Sequence, residues 1–168
     1  MYGDLNWFDA PNDVKMSVYI KNRIIPQGEK LTCQLILWNR SASSISANVY
    51  LDINNSGDLK CCTQDKMNDI QPGNIAYDMW TLGTDKRSVG DHQIGFFCEP
   101  KSGAYYGKTA GRYALGALVG IRPGKSVGGF STKYRIVNGI DCPQCKKSLL
   151  WKKEPKTGWY CDHCDGWL

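Results

Sequence analysis

Apolar and polar residues alternate along much of the first 137 positions, with a period of two. The segment Leu31–Leu37 shows this clearly, because Leu31, Cys33, Leu35 and Leu37 fall on one face of an extended chain. Such alternation predicts half-buried β-strands. Six strands are predicted in this way, at Val14–Ile20, Leu31–Leu37, Ile45–Ile53, Ile75–Leu82, His92–Cys98 and Phe130–Val137.

Turn-forming residues separate these predicted strands. Clusters of glycine, proline, asparagine and serine occur at Pro26–Gly28, Asn54–Gly57 and Gln71–Gly73, and a further turn signal occurs at Val89–Gly90. No segment between the strands has a convincing amphipathic helical period. Short strands at this spacing predict an all-β chain folded as an antiparallel β-sandwich.

Residues around these strands resemble those of a known family. They are Pro26–Lys30 before a long strand, Trp38 and Asn39 at its end, Ile70–Gly73 ahead of Trp80, and Val89–Gly95. From residue 13 to about residue 100, the chain resembles the bacterial and archaeal immunoglobulin-like domains of the CARDB type. The resemblance implies that the sandwich is immunoglobulin-like.

Two cysteines are given a place by that resemblance. It implies that Cys33 and Cys98 lie on the second and sixth strands, where extracellular immunoglobulin domains often carry a disulfide. We expect the two residues to lie close together with both thiols reduced, because a reducing compartment keeps thiols free. Cys61 and Cys62 lie in a polar stretch with Lys60 as their basic neighbour, so free thiols are expected there too.

Four cysteines near the C-terminus carry the most specific chemical signal in the chain. They form two CxxC pairs, Cys142-Pro-Gln-Cys145 and Cys161-Asp-His-Cys164, with fifteen residues between the pairs. Two such pairs can bind one ion through four thiolates, as in a zinc ribbon. Because sulfur would fill every coordination position, we predict a closed structural Zn²⁺ site with no place for a catalytic water.

The residues between the two pairs are suited to a small hairpin. Ser148–Lys153 and Thr157–Cys161 can pair as strands across the intervening proline-containing turn. Lys146 follows the first pair at a position where glycine often relieves a positive φ, and Gly166 lies near the equivalent position after the second pair. His163 lies between two ligands, and its side chain is expected to point outward.

The chain is therefore predicted to have three parts. Residues 1–12 form an N-terminal tail, residues 13–137 the immunoglobulin-like β-sandwich, and residues 138–168 the zinc ribbon. Residues 100–129 depart from the family, because a short last hairpin is expected there and a long insertion stands instead. Loops on a rigid sandwich often carry binding residues, so the insertion is a candidate binding segment.

Charge is distributed unevenly between the two halves of the chain. Residues 1–99 contain nine Lys and Arg against twelve Asp and Glu, a net −3, whereas residues 100–168 contain twelve against four, a net +8. Cations mixed with tyrosine and glycine suit a phosphate backbone with stackable bases. The predicted anion-binding or nucleic-acid-binding residues are Lys101, Tyr105, Tyr106, Lys108, Arg112, Arg122, Lys125, Lys133, Arg135, Lys146, Lys147, Lys152 and Lys153.

Other interpretations of this basic half stay open. Its lysines can equally be the solvated surface of the ribbon, and its tyrosines can pack on the sandwich. An acidic protein surface is an alternative partner, and exposed strand edges offer self-association. Gly124–Ser126 resembles the end of a phosphate loop, but Val119 stands where that motif needs glycine, so nucleotide binding is rejected.

An enzyme is the class with least support in the sequence. Only His92 and His163 supply imidazoles, and no serine or cysteine stands in a recognisable nucleophile motif. The mean hydropathy of −0.42 and the absence of a long apolar run fit a protein without a membrane span, and the N-terminus has acids where a secretion signal needs basic residues. We expect a cytoplasmic, non-enzymatic, zinc-containing binding or adaptor protein whose basic C-terminal half contacts an anionic partner, with nucleic acid favoured over protein interaction or self-assembly.

Overall fold

The computed structural model describes residues 5–102 and 128–168 of the chain. The described residues form strands and turns, with one 3-10 helix at Leu59–Cys61. The strands are β1 (Phe8–Ala10), β2 (Val14–Ile20), β3 (Ile24–Pro26), β4 (Lys30–Asn39), β5 (Ile45–Asp52), β6 (Thr63–Ile70), β7 (Ile75–Gly83), β8 (Gly90–Ser102), β9 (Gly128–Val137), β10 (Leu150–Lys152), β11 (Gly158–Cys161) and β12 (Gly166–Trp167). The predicted all-β fold class is confirmed. No helix in this part of the chain has the length and apolar character needed to cross a membrane.

A four-stranded sheet contains β1, β2, β4 and β7, in that order. β2 pairs antiparallel with β4 along its whole length. The side chains of Leu31, Cys33, Leu35 and Leu37 are all buried, as the alternation of β4 predicted. Ile36, on the opposite face of β4, is buried as well, so this strand is covered on more than its inner face.

A five-stranded sheet has the order β3-β9-β8-β5-β6. β5 pairs antiparallel with both β6 and β8, whereas the short β3 pairs parallel with β9. All eight residues of β5 are buried, so the half-buried alternation predicted for this strand is wrong. On its outer face Tyr50 packs with Phe97 in a separate apolar cluster, and any side chain at Gly129 would overlap the Phe97 ring.

Three strands of the two larger sheets were not predicted from the sequence. β1 and β3 have three residues each, which is too short to show a period. β6 is longer, but only Met67 and Ile70 are buried along it, so its sequence has no alternating apolar signal. These strands form because neighbouring strands supply hydrogen-bond partners for their backbones.

Cys33 and Cys98 are buried and have free thiols. The Sγ atom of Cys98 lies 3.8 Å from the Sδ atom of Met16, and that of Cys33 lies 3.8 Å from the carbonyl oxygen of Trp80. Burial raises the pKa of each thiol to about 12. Both cysteines therefore stay protonated at neutral pH and act as small apolar core residues.

The described residues form two compact units. The first contains residues 5–20, 33–80, 93–102 and 128–133. The second contains residues 21–32, 81–92 and 134–168, so it joins the ribbon residues to three segments of the larger sheets, the third being the end of β9. The predicted domain boundary after residue 137 stays a prediction.

Candidate metal centre and basic surface

Three short strands position the four C-terminal cysteines. β11 pairs antiparallel with β10 on one side and with β12 on the other. The predicted hairpin between the CxxC pairs is confirmed, because Trp151 of β10 lies opposite Trp159 of β11. β12 follows the last cysteine and was not predicted, since a two-residue strand has no sequence period.

The Sγ atoms of the four cysteines all lie within 4.8 Å of one another. Two of the distances are 3.5 Å, between Cys145 and Cys161, and 3.9 Å, between Cys142 and Cys164. Four thiolates bound tetrahedrally to Zn²⁺ at about 2.3 Å would place their sulfur atoms about 3.8 Å apart. The donor set and its spacing therefore fit one metal ion held by two cysteines from each CxxC turn.

Hydrogen bonds and mutual proximity set the charge on these sulfur atoms. Backbone N–H groups of Cys145 and then Gln144 donate to the Cys142 thiolate and lower the pKa of Cys142 to about 7. Hydrogen bonding with Cys145, together with desolvation, instead raises the pKa of Cys164 to about 12. One thiol of the cluster thus ionises readily and opposes ionisation of another. A divalent cation among them would supply the positive charge that four thiolates need.

Tight turns follow both cysteine pairs. After the first, the N–H of Lys146 donates to the carbonyl oxygen of Cys142 at 2.9 Å, and Lys146 has a φ of 63°. The left-handed conformation predicted at this non-glycine residue is confirmed. After the second pair, the left-handed residue is Asp165, with a φ of 52°, which directly precedes Gly166. In both turns the left-handed residue directly follows the second cysteine of the pair, Cys145 or Cys164.

His163 lies outside the sulfur cluster. Its side chain is exposed, and its Nδ1 atom lies 3.2 Å from the Nζ atom of Lys147. The prediction that His163 points away from the ligand set is confirmed. Within residues 5–102 and 128–168, the four cysteines are the one group of three or more potential metal ligands.

An apolar cluster supports the cysteines within the second unit. Leu149 and Trp159 are buried with Cys142, Cys161 and the last residue of β9, Val137. The indole Nε1–H of Trp159 donates to the carbonyl oxygen of Ile24 at 2.8 Å. The Asn22 amide donates to the carbonyl oxygen of Thr157 at 3.2 Å. These contacts attach the ribbon to β3 and to the residues before it.

The predicted anion-binding residues lie in different parts of the chain, and some lie outside the described residues. Six of them, Tyr105, Tyr106, Lys108, Arg112, Arg122 and Lys125, lie outside the described residues. Lys101 belongs to β8, and its side chain is not described. Lys133 and Arg135 are exposed on β9, whereas Lys146, Lys147, Lys152 and Lys153 belong to the ribbon.

Three of these cations are paired with acids. Arg135 Nε lies 2.6 Å from Asp91 Oδ1. Lys152 Nζ lies 3.2 Å from Asp162 Oδ1, and Lys153 Nζ lies 3.2 Å from Glu29 Oε2. Ion pairs at a protein surface contribute little to stability, but each reduces the local excess of positive charge. The sequence did not predict these pairs, because their acids come from other elements.

One face of the ribbon sheet combines two aromatic rings with two lysines. The ring centroids of Tyr160 and Trp167 lie 5.1 Å apart. Lys152 Nζ lies 3.5 Å from the centroid of the Tyr160 ring, and Lys156 Nζ lies 5.0 Å from that of Trp167. These four residues are termed the ribbon face. Tyr160 and Trp167 were missing from the predicted site, although the alternation of Tyr160 with Trp159 along β11 could have indicated an outward ring.

No protein-family model matches the chain, and the comparison with curated proteins found no match. One solved structure with a similar arrangement is the CARDB domain of a Pyrococcus furiosus protein, determined in complex with di-metal ions. The match has a TM-score of 0.45 and 12% identity, and it covers 77% of this chain and 98% of that domain. The chain's own strands and sheets establish its all-β fold, and its four cysteines provide a possible metal site.

Proposed function

We propose that the protein is a non-enzymatic binding module that is stabilised by structural zinc and that contacts nucleic acid through its basic C-terminal half. The metal half of the proposal is supported by the sulfur cluster. The partner half depends on one observation, the ribbon face, in which lysine ammonium groups lie over aromatic rings.

Zinc is the metal that best suits the donor set. Thiolate ligands select zinc, copper(I) or iron–sulfur clusters, and a compact tetrahedral set of four thiolates is typical of zinc. Four sulfur ligands leave no coordination position for water or substrate, so the ion would hold the two turns together rather than perform catalysis.

Nucleic acid matches the chemistry of the ribbon face. Aromatic rings provide flat surfaces on which unpaired bases stack, and lysines displace counterions from the phosphate backbone. Tyr160 and Trp167 are partly exposed, and Lys156 is exposed and free of an acidic partner in the ribbon. The net charge of +8 over residues 100–168 would draw a polyanion towards this half of the chain.

Binding of labelled single-stranded RNA and DNA oligomers to the whole zinc-loaded chain tests the proposal. Fluorescence anisotropy should show an affinity that falls with salt, with a logarithmic slope of about −0.7 for each phosphate neutralised. Trp167→Ala should weaken binding by about 1–3 kcal/mol through loss of a stacking surface. Zinc content and circular dichroism of this variant would show that the ribbon stays folded.

A matched pair of charge reversals locates the contact. Lys156→Glu should weaken binding, whereas Lys86→Glu, the same change at an exposed turn after β7, should have a much smaller effect. Absence of salt-dependent binding at low salt, or equal losses in the two variants, would contradict the proposal.

A protein partner is the second candidate, and it is favoured by the exposed side chain of Leu150. Leu150 lies opposite Tyr160, so it belongs to the same face of the ribbon sheet, and 46% of its surface is accessible. Lys152 pairs with Asp162 on this face, and this ion pair reduces the positive charge that a polyanion would contact. Partner binding that resists salt and is lost in Leu150→Glu would favour this candidate over nucleic acid.

A further inference from the structure

β7 is an edge strand with an apolar outer face. Among the described strands its one sheet neighbour is β4. Ile75, Tyr77 and Met79 are exposed, and more than half of the Tyr77 and Met79 side chains is accessible. The strand contains neither lysine nor proline, the residues that commonly block pairing at a sheet edge. β7 therefore presents an unprotected backbone edge beside apolar side chains.

The residues of β7 that alternate with this apolar face are partly buried and turn towards the interior of the sandwich. One of them is Trp80, whose ring centroid lies 6.3 Å from that of the buried Phe96. Asp78 shares this inward face and is the one charged residue of the strand. A carboxyl group thus stands at the inner side of an open sheet edge.

A second carboxyl group, that of Asp65, lies near the Asp78 carboxyl. Asp65 belongs to β6, the edge strand of the five-stranded sheet, and lies opposite the buried Val49 of β5. Asp65 lies near enough to Asp78 for the charge of its carboxylate to act on that of Asp78. The Oδ2 atom of Asp78 is buried without a hydrogen-bond partner, whereas its Oδ1 atom accepts a hydrogen bond from the backbone N–H of Met79 at 2.9 Å.

The pKa of Asp78 agrees with a lack of positive charge beside this pair of carboxyl groups. Desolvation, followed by hydrogen bonding to Asp65 and repulsion from its charge, raises the pKa of Asp78. A cation close to two carboxylates would reverse that effect. The exposed apolar side chains and the inward Asp78 carboxyl are carried by one strand, so a single extended ligand can reach both.

We propose that β7 binds an extended basic peptide of a partner protein as an added antiparallel strand. Main-chain hydrogen bonds to the free edge would hold the peptide. A lysine or arginine opposite Asp78 would point inward to the two carboxyls, and its two neighbours would point outward beside Tyr77 and Met79. The recognised pattern is therefore apolar, basic, apolar.

Charge complementarity selects this occupant over a second copy of the chain. Pairing of two β7 strands would bring a second Asp65–Asp78 pair to the interface, adding carboxyl groups and no cation. Like charges across an interface disfavour association. A peptide with a central basic residue supplies the missing charge, while its apolar residues cover the exposed outer face.

A synthetic probe can test this directly. The probe is a fluorescein-labelled peptide with the sequence Thr-Val-Lys-Val-Thr, and the matched control has glutamate in place of lysine. The whole zinc-loaded chain should bind the lysine probe about tenfold more tightly than the glutamate probe, because a charge-assisted hydrogen bond is involved. Methylation of alternate peptide nitrogens in the probe should abolish binding, since an added strand needs its N–H groups.

A matched pair of variants assigns the effect to β7. Asp78→Asn keeps the shape of the side chain and removes a carboxylate whose ionised form is disfavoured in the folded chain. The variant should therefore fold at least as well as the wild type. It should nevertheless lose the preference for the lysine probe over the glutamate probe. Asp85→Asn removes an exposed carboxylate elsewhere and should change nothing. Lys156→Glu should also leave probe binding unchanged, which separates this proposal from the function assigned to the ribbon face.

Three results would overturn the proposal. They are absence of probe binding, equal binding of the lysine and glutamate probes, and perturbation of backbone amides outside β7 and its neighbours in NMR spectra of the bound chain. Sedimentation showing a dimer that Tyr77→Lys dissolves would instead assign the edge to a second copy.

Discussion

The first compact unit and the ribbon at residues 138–168 are both built from strands, but they differ in how much apolar surface they bury. The first buries large apolar side chains completely, among them Leu35, Ile94 and Phe96. The buried cluster of the ribbon is much smaller, and two of its members, Cys142 and Cys161, are candidate metal ligands. A segment of this size cannot bury enough apolar surface to fold unaided. We therefore expect packing to suffice in the first unit, and the ribbon to depend on the metal ion proposed at its four cysteines.

Removal of the metal should have the largest effect, and it should be confined to the second unit. Structural zinc contributes on the order of 10 kcal/mol or more to the folding of small ribbons, so a strong chelator should unfold the ribbon. The near-ultraviolet circular dichroism of Trp151 and Trp159 should be lost, while amide protection in β4 and β5 persists. Cys161→Ser should reproduce this result and Cys61→Ser, at an exposed thiol outside the cluster, should not. Simultaneous unfolding of both units would contradict the prediction that metal removal affects the second unit alone.

A core truncation should have the converse effect. Phe96→Ala removes a fully buried ring from the first unit and should lower the free energy of unfolding by about 3–5 kcal/mol. Zinc should stay bound in the folded state of this variant, because the four cysteines belong to the other unit. Denaturant titration with a parallel zinc assay checks both statements, and loss of zinc from the folded variant would contradict the assignment.

The hydrogen bond of Trp159 tests how the ribbon is attached within the second unit. Trp159→Phe keeps an aromatic ring in the cluster but removes the donor to the carbonyl oxygen of Ile24. The expected loss is about 1 kcal/mol of stability, since one hydrogen bond to a partly buried acceptor is lost. Hydrogen exchange should show faster opening near β3 and unchanged protection in β5. An unchanged exchange rate near β3 would contradict the claim that this hydrogen bond attaches the ribbon to β3.

The smallest effect concerns the pH dependence of the first unit. The pKa of Asp78 is raised in the folded state, so folding disfavours its ionised form. Stability from this group is fully present below the unfolded-state pKa and is lost as pH rises through the folded-state pKa. Asp78→Asn mimics the protonated form, and its melting temperature should exceed that of the wild type by more at neutral pH than in acid. A difference independent of pH would contradict this assignment.

The sequence predicted those parts of the fold whose signal is carried by each strand alone. β2 begins and ends where its alternation does, and β4 and β7 extend slightly beyond their predicted bounds. β6 could not be predicted, because its place depends on backbone pairing with β5. The complete burial of β5 depends on packing over its outer face, which alternation within one strand does not show.

The same distinction applies to the candidate site. The cysteine spacing predicted a metal cluster because two tight turns constrain the four thiols locally. The partners of Lys152 and Lys153 could not be predicted, because Asp162 and Glu29 reach them only through tertiary contacts. The CARDB resemblance, the cytoplasmic location, the absence of catalysis and the role of the insertion at residues 100–129 stay predictions.

The metal content of the purified chain tests the central claim most directly. Native mass spectrometry, with elemental analysis of the same sample, should find one zinc ion per chain. Cys142, Cys145, Cys161 and Cys164 should resist thiol reagents until a chelator is added. A folded chain without metal, in which these four thiols react freely, would contradict the account.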